Sequence, residues 1–394
     1  MAHLRVVSIG LFLASMLAVI AVPGLGREPR RLPEDQWSGL LKAGLPAVAG
    51  YSYAVHRNGK LIDVGAAGLR RPTVDSSPAI ELRPNASVQF ASVSKPITAI
   101  ALLRLLERKS ISVDSPFYPH VAKVMGKISP AAGIDAITFA QLLSHRSGFG
   151  FGYARSTRLD SLRQLLQQPL VQAPGSARVY SNVNYAWVRT AIEAISGQAY
   201  GDFVQREIFR PAGAGGMTLS IPASDAVFAF AVNDEQGAAL ALDFEDEAGP
   251  YGWYGTPDAM ARVLDRIQQG SYLTAELQTR MLAEGLGWTA APVSDGTAYR
   301  HDGQWVLDRQ QRGIRTGVAL LPGGVTAVLF VNTNAPFSPS AVILRAYRAW
   351  RQQNPKAPSW AAAASESALL TAVPPIAHDE HRYRTSILLP HRTR

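Results

Sequence analysis

Two hairpin signals at opposite ends of the chain constrain the fold most. Near the start, the β-rich runs Val48–His56 and Lys60–Ala67 are separated by Asn58-Gly59, a dipeptide suited to a tight two-residue turn. Near the end, Gly313–Leu320 and Val325–Asn332 flank Pro322-Gly323-Gly324. Between them the apolar spacing turns helical. Ile97, Ile100, Ala101, Leu103, Leu105 and Leu106 recur within Pro96–Lys109, and similar patterns fall at Thr138–Leu143, Arg158–Gln168, Asn184–Ser196 and Tyr200–Phe209. A helix-like stretch carrying Trp37, Leu40, Leu41 and Leu45 precedes the first hairpin, and an amphipathic helix from Ser340 to about Arg351 follows the second. Strands at both ends with helices between predict an α/β (α+β) fold. One antiparallel sheet is built from both chain ends, with flanking helices and a mainly helical insertion over about 110–280.

The length of 394 residues requires two cores, or one core with a large insertion. The chain has no cysteine, which excludes disulfides, thiolate metal sites and cysteine nucleophiles. Its net charge of +9 raises the question of nucleic acid, but the excess is terminal. Residues 1–31 hold four Arg against one Glu, and residues 345–394 hold eight basic against three acidic side chains. The body from 32 to 344 has 27 basic and 26 acidic residues. A nucleic-acid binder concentrates basic charge on a folded face, so no nucleic-acid partner is expected.

The N-terminus has an export pattern. Arg5 precedes the uncharged run Val6 to Val22, and small residues follow at Gly24 and Gly26, as in a secretory signal peptide over 1–26. The run is also close to the length of a membrane anchor. A periplasmic or otherwise exported protein is expected, with the inner-membrane anchor through 6–22 as the alternative. A single domain over 32–352 follows, and residues 353–394, without a sustained period, are expected to form a disordered tail.

Seven lysines stand among 32 arginines, and only one lysine has a serine three residues before it: Ser92-Val93-Ser94-Lys95, followed by Pro96 and the helical pattern. If the helix begins near Ser92, this spacing puts hydroxyl and amine on one face, a turn apart. A helix N-terminus disfavours an ammonium and favours the neutral amine that a serine nucleophile needs as base. The Ser92 N–H there is also suited to hold an oxyanion. Tyr180-Ser181-Asn182 is the sole Tyr-x-Asn, in a Pro174-Gly175 loop ahead of a helix, and His301-Asp302-Gly303 is the sole His-x-Gly, at the end of the strand-like Thr297–Arg300. Gly-x-Ser-x-Gly, P-loop, dinucleotide and His-Glu-x-x-His patterns are missing, so those chemistries have no starting point. His145 is read as a turn residue, and Gly148–Gly152 as a loop on the rim of a cleft.

Taken jointly, these residues resemble the serine β-lactamase and penicillin-binding-protein superfamily, in the branch of class C enzymes, D-aminopeptidases, DD-peptidases and family VIII esterases. That family has Ser-x-x-Lys, then Tyr-x-Asn, then Lys/His-x-Gly. The flanks agree: Phe90 to Ala99 around the serine, Leu142 to Gly148, Pro174-Gly175 through Asn182 to Gly197, and Gly252 to Ala261. The resemblance spans roughly residues 35–350.

It implies a serine β-lactamase-like fold and a serine hydrolase with no metal or cofactor. Ser92 would be acylated, Lys95 would be its neighbouring base or relay, and Tyr180 would be base for Ser92 and acid for the leaving group. Asn182 would bond Lys95 and substrate, and His301 would stand across the cleft. The backbone N–H groups of Ser92 and Gln304, beside Gly303, would form the oxyanion hole. Trp253 and Tyr254 are expected to wall the acyl pocket, with core packing as their alternative role. The substrate would be an ester, amide, β-lactam or peptidoglycan peptide, or the chain would be a non-hydrolytic penicillin-binding or scaffolding protein. Two features depart from the usual pattern: His301 replaces Lys, and Asp302 is acidic. Turned inward, Asp302 would repel anionic substrates, whereas strand alternation can turn it outward.

Overall fold

The computed structural model describes residues 36–150 and 158–354. The export segment, Phe151 and Gly152 of the rim loop, and the tail beyond Asn354 lie outside the described residues. Among the described residues no helix is long and apolar enough to cross a membrane.

The two hairpins meet in one sheet. Strands β1 (Gly50–Arg57), β2 (Lys60–Arg71) and β3 (Ile80–Glu81) come from the start of the chain, and β4 (Val88–Gln89) follows them. The short strands β5 (Val227–Ala229), β6 (Ala238–Leu240) and β7 (Tyr254–Gly255) lie in the middle of the sequence. Strands β8 (Thr289–Val293), β9 (Gly296–Val306), β10 (Gly313–Leu321) and β11 (Val325–Val331) close the chain. The main sheet has the order β3-β2-β1-β11-β10-β9-β8, and the pairs β4-β7 and β5-β6 form two small sheets. Strand β1 runs antiparallel to β11, with Tyr51 opposite Val331 and Arg57 opposite Val325. The sheet from both chain ends is therefore the observed architecture. The positive φ values at Asn58 and Gly59 are those that a tight hairpin turn requires.

Helices cover both faces. On one side lie α1 (Gln36–Gly44) and α10 (Pro339–Gln353), whose Trp37 and Trp350 rings stand 5.8 Å apart over a core with Val55, Leu329 and Tyr347. On the other lie α2 (Ser94–Arg108), α3 (Tyr118–Met125), α4 (Phe139–Leu143), α5 (Leu159–Leu165), α6 (Asn182–Ser196), α7 (Tyr200–Val204), α8 (Pro257–Gln268) and α9 (Ala275–Ala283). Helix α2 is buried almost all round, which explains why its apolar residues outnumber one face. Helix α4 starts in a capping box, with Thr138 and Gln141 satisfying each other's backbone N–H.

Local structure departs from the sequence expectation at two places. Ser92 lies in a 3-10 turn, Ala91–Val93, and the α-helix begins only at Ser94. The turn is entered through Ala91 at φ +47°, a left-handed backbone that an alanine adopts at a cost of about 1 kcal/mol. His301 is not at a strand end but midway along β9, paired with Val318 of β10. The strand continues because Gly303 and Trp305 keep pairing with β10 beyond the motif.

Candidate active site

The 3-10 turn packs against β9 where that strand has no side chain. A Cβ on Gly303 would stand 2.3 Å from Thr316 Oγ1, 2.7 Å from the Phe90 carbonyl and 3.0 Å from the Ser92 nitrogen. The turn itself is held from below. Phe90 N–H donates to the Trp253 carbonyl (2.9 Å), and Thr316 Oγ1 donates to the Phe90 carbonyl (2.8 Å).

Ser92 and Lys95 keep the one-turn relation that their spacing predicts, with Lys95 Nζ 3.0 Å from Ser92 Oγ. Lys95 is fully buried. Its Nζ also reaches Asn182 Oδ1 (2.8 Å), on the first residue of α6, and the Pro250 carbonyl (2.8 Å). Burial, joined by the positive charge of Arg178, pushes the Lys95 pKa well below the ordinary 10.5. A neutral amine has two N–H bonds and one lone pair. Asn182 Oδ1 and the Pro250 carbonyl only accept, so in the neutral form they would take both N–H bonds and leave the lone pair for the Ser92 hydroxyl. On the other side of Ser92, the Tyr180 hydroxyl donates to Oγ at 2.8 Å. The serine oxygen thus sits between an amine that can remove its proton and a phenol that can deliver one.

Tyr180 precedes Ser181, the extended N-cap of α6, whose side chain accepts from Val183 N–H. The Pro250 carbonyl comes from the segment that runs from Gly249 to Trp253. Gly249 has φ +122°, and a Cβ there would stand 2.9 Å from the Tyr185 carbonyl, so only glycine lets this segment approach α6.

His301 is 9% exposed and its Nδ1 lies 2.8 Å from the Asp302 carbonyl. Burial above all, with the nearby basic groups Lys95, Arg178 and Arg300, pushes its pKa down to about 3. The ring is neutral across the physiological range. Asp302 points away, to the α10 side of the sheet. Its carboxylate accepts from the backbone N–H and hydroxyl of Ser340 (2.8 and 2.6 Å), from the Ser338 hydroxyl (2.8 Å) and from Arg300 (3.2 Å). Strand alternation puts successive side chains on opposite faces, so the acidic residue is outside the cleft. The Gln304 side chain is exposed and donates to Asn334 Oδ1 (2.7 Å), leaving only its backbone to face the nucleophile turn.

Two expected pocket residues are corrected. Trp253 and Tyr254 are each only 1% exposed and have no open face for a substrate. Trp253 Nε1 donates to the Tyr200 hydroxyl (3.0 Å), and the Tyr254 hydroxyl accepts from Leu242 N–H (3.0 Å). Both rings satisfy their polar atoms inside the core, where aromatic side chains stabilise most, and Trp253 serves as the floor of the nucleophile turn. Tyr251 likewise packs on Trp305 and Phe244.

Sequence reasoning missed three contributors. The Pro250 carbonyl has no side-chain signature at all. Arg178, two residues before Tyr180, is exposed, and its charge depresses the pKa of Lys95, His145 and His301. His145, read as a turn residue, does have the positive φ of a turn, but its ring also lies against Tyr180. Arg178 had a signal in its nearness to Tyr180 in the sequence, whereas His145, in the turn after α4, had none.

The chain is similar to known proteins over most of this architecture. It is 26% identical over 302 residues to Esterase EstB of Burkholderia gladioli, covering 62% of this chain and 75% of that protein. It is 26% identical over 258 residues to the D-alanyl-D-alanine-carboxypeptidase/endopeptidase AmpH of Escherichia coli, covering 56% of this chain and 66% of AmpH. Similarity to Penicillin-binding protein 4* of Bacillus subtilis spans only 30% of that protein. Among solved structures, a class C beta-lactamase superposes with a TM-score of 0.64 at 17% identity, covering 79% of this chain and 93% of the other. The penicillin-binding protein homologue of Pyrococcus abyssi also gives 0.64, at 18% identity, covering 81% and 76%. The family model described as Beta-lactamase matches residues 41–350, from α1 to α10, and the chain belongs to that family.

Proposed function

We propose that this protein is an exported serine hydrolase that acts through an acyl-enzyme on Ser92, with short neutral esters or peptides as preferred substrates. One observation carries the reading: Ser92 Oγ lies between Lys95 Nζ at 3.0 Å and the Tyr180 hydroxyl at 2.8 Å. The burial that lowers the Lys95 pKa supports Lys95, rather than Tyr180, as the base. Lys95 takes the Ser92 proton as Oγ attacks the carbonyl carbon, and Tyr180 gives its proton to the leaving atom. Water then attacks the ester on Ser92, losing a proton to the Tyr180 phenolate, while Lys95 returns its proton to Oγ. The Ser92 and Gln304 N–H groups are assigned to the oxyanion, a role supported by the close approach of β9 to the Ser92 nitrogen. Asn182 holds the amine of Lys95 in place.

Substrate preference follows from His301. A permanent ammonium at this position would pair with a carboxylate, whereas a neutral imidazole offers no charge to it. The relatives EstB, named an esterase, and AmpH, named a carboxypeptidase/endopeptidase, bracket the substrates to be compared. Export rests on Arg5 and the uncharged run 6–22.

The test is intact-mass and turnover measurement against p-nitrophenyl butyrate, a penicillin and a D-Ala-D-Ala peptide. Wild type is expected to turn over the ester fastest, and Ser92→Ala to lose both turnover and covalent labelling. Labelling that survives at another serine would refute the nucleophile. Export is checked by fractionation and N-terminal sequencing of the recovered protein, which a full-length cytoplasmic product would contradict.

A further inference from the structure

Three cations from two elements surround one cavity at the C-terminal end of α2. The cavity measures about 220 Å³ and lies between α2, the turn after α6, α7 and the π-helical turn Gln205–Phe209. Arg108 and Lys109 reach it from the end of α2, and Arg206 reaches it from the π turn. At 1.5 Å per residue along α2 it stands about 20 Å from Lys95, so it is separate from the cleft. Single π turns are rare and recur at functional sites.

The cations are held in place. Arg206 Nε donates to Glu207 Oε1 (3.0 Å), its Nη1 donates to Gln198 Oε1, and its guanidinium carbon stands 5.6 Å from the centre of the Phe203 ring. Arg108 Nη1 donates to the second Glu207 oxygen (2.6 Å), which Arg104 Nε also reaches (3.2 Å). One buried carboxylate thus gathers three guanidinium groups that would otherwise repel one another. Lys109 is exposed, and its amine has no partner among the described residues.

The neutral groups of the lining are free to donate. Ser196 Oγ accepts from Gln198 N–H (3.2 Å), which leaves its own O–H free. Gln198 spends its carbonyl oxygen on Arg206, which leaves its amide N–H bonds free. Charge points the same way. Arg104, Arg108, Lys109 and Arg206 are opposed by Glu207 and by the negative dipole ends of α2 and α6, together about two negative charges. Glu107 turns away to accept Thr274 N–H (3.0 Å) at the start of α9, and Asp202 does not line the cavity. An excess of about two positive charges remains.

We propose that this cavity is a binding site for a phosphoryl group, carried by a soluble phosphate ester or by a phospholipid headgroup. A tetrahedral oxyanion accepts from several directions at once, which suits donors arriving from α2, from the π turn and from the turn after α6. A planar carboxylate would use one guanidinium edge and leave the other donors unmet. Leu105 and Phe203 supply an apolar wall for the organic part of the ester. The site is independent of the chemistry at Ser92.

Isothermal titration of the full chain with inorganic phosphate, at constant chloride, tests it. Saturable binding is expected. It should weaken by about tenfold or more in Arg108→Gln/Lys109→Gln, the scale of lost hydrogen bonds to charged groups. Both positions are exposed, and melting curves check that the variant folds. If it melts lower, Lys109→Gln alone serves instead, with an expected loss of about threefold. Acetate is expected to bind about tenfold more weakly than phosphate, since it meets fewer of the donors. Glycerol 3-phosphate, and vesicles of phosphatidylglycerol and phosphatidylcholine in equal parts, then identify the carrier. The variant should lose whichever of the two the wild type holds. No saturable phosphate binding, an affinity unchanged in the variants, or acetate held as tightly as phosphate would overturn the inference.

Discussion

The His145 ring lies tilted against the phenol of Tyr180 with centroids 4.6 Å apart, and His145 also accepts hydrogen bonds from the residues on both sides of that tyrosine. Val179 N–H donates to the His145 carbonyl (2.9 Å), and Ser181 N–H donates to its Nδ1 (3.2 Å), to which the Asn184 side chain also donates (3.1 Å). Tyr180 is thereby held by its neighbours' backbone and by its own ring. The left-handed backbone of His145, at φ +60°, lets the carbonyl and the imidazole face the same segment.

His145 is accordingly a positioning residue for Tyr180. His145→Ala is expected to lower kcat by between about tenfold and 10²-fold, with a smaller change in KM, because a misplaced proton donor slows chemistry more than binding. His145→Asn should recover part of kcat, since asparagine tolerates the left-handed backbone and keeps an acceptor near Nδ1. Burial, and then the charge of Arg178, pushes the His145 pKa well below 6.5, so its titration should leave no limb in the neutral range. Steady-state kinetics on the three proteins checks the split between kcat and KM.

Lys95 should work only as the free amine. Activity is retained above its lowered pKa and falls as the pH drops through it, so the limb of kcat/KM lies below the ordinary lysine value of 10.5. Lys95→Arg is permanently charged and has no lone pair to take a proton, and the expected loss is about 10²–10⁴-fold, as for removed acid–base assistance. A pH profile of wild type beside the variant checks this. Near-wild-type turnover by Lys95→Arg would remove Lys95 from the role of base.

Gly303→Ala probes the contact between β9 and the nucleophile turn. The added methyl meets Thr316 Oγ1, the Phe90 carbonyl and the Ser92 nitrogen, two of them backbone atoms that cannot swing aside. Strain of about 1–3 kcal/mol is expected, as for other overpacked sites. The turn is pushed from the strand, so kcat/KM should fall well beyond what the stability loss explains. Thermal melting and kinetics of the same sample separate the two.

A buried ion cluster between β1 and α8 predicts how stability depends on pH. His56, 2% exposed, has Nδ1 2.6 Å from Asp265 and Nε2 2.9 Å from Asp258, and Thr326 Oγ1 donates to Asp265 at 2.7 Å. Burial opposes the imidazolium, but the hydrogen bonds and charge of Asp265, then of Asp258, outweigh it and raise the His56 pKa above 6.5. The folded state therefore holds a proton that the unfolded chain releases. Its stabilising contribution is full below the unfolded pKa and is lost as the pH rises through the raised folded value. His56→Gln should cost up to about 3 kcal/mol at pH 5.5, since it leaves Asp265 buried without its partner, and less at pH 9. Denaturant titrations at both pH values measure the difference, and an equal cost at the two would refute the charged state.

What the sequence determined by itself was whatever depends on neighbours along the chain. The one-turn relation of Ser92 to Lys95 needs only helical geometry, and the tight turn at Asn58-Gly59 needs only local backbone preference. β-rich runs at both ends made the shared sheet legible, and the order of Ser-x-x-Lys, Tyr-x-Asn and His-x-Gly made the family legible. Tertiary structure decided whatever depends on what packs against what. Spacing could not tell that Trp253 and Tyr254 fill the core beneath the turn rather than wall a pocket, because an aromatic residue suits both places. Nor could it find the Pro250 carbonyl, since every residue carries one and only the fold aims this one at Lys95. The direction of Asp302 came from the placement of α10 behind β9, where Ser338 and Ser340 bond its carboxylate. Hydrogen bonds across that distance in sequence exist only once the sheet has closed, and they keep the acidic side chain out of the cleft.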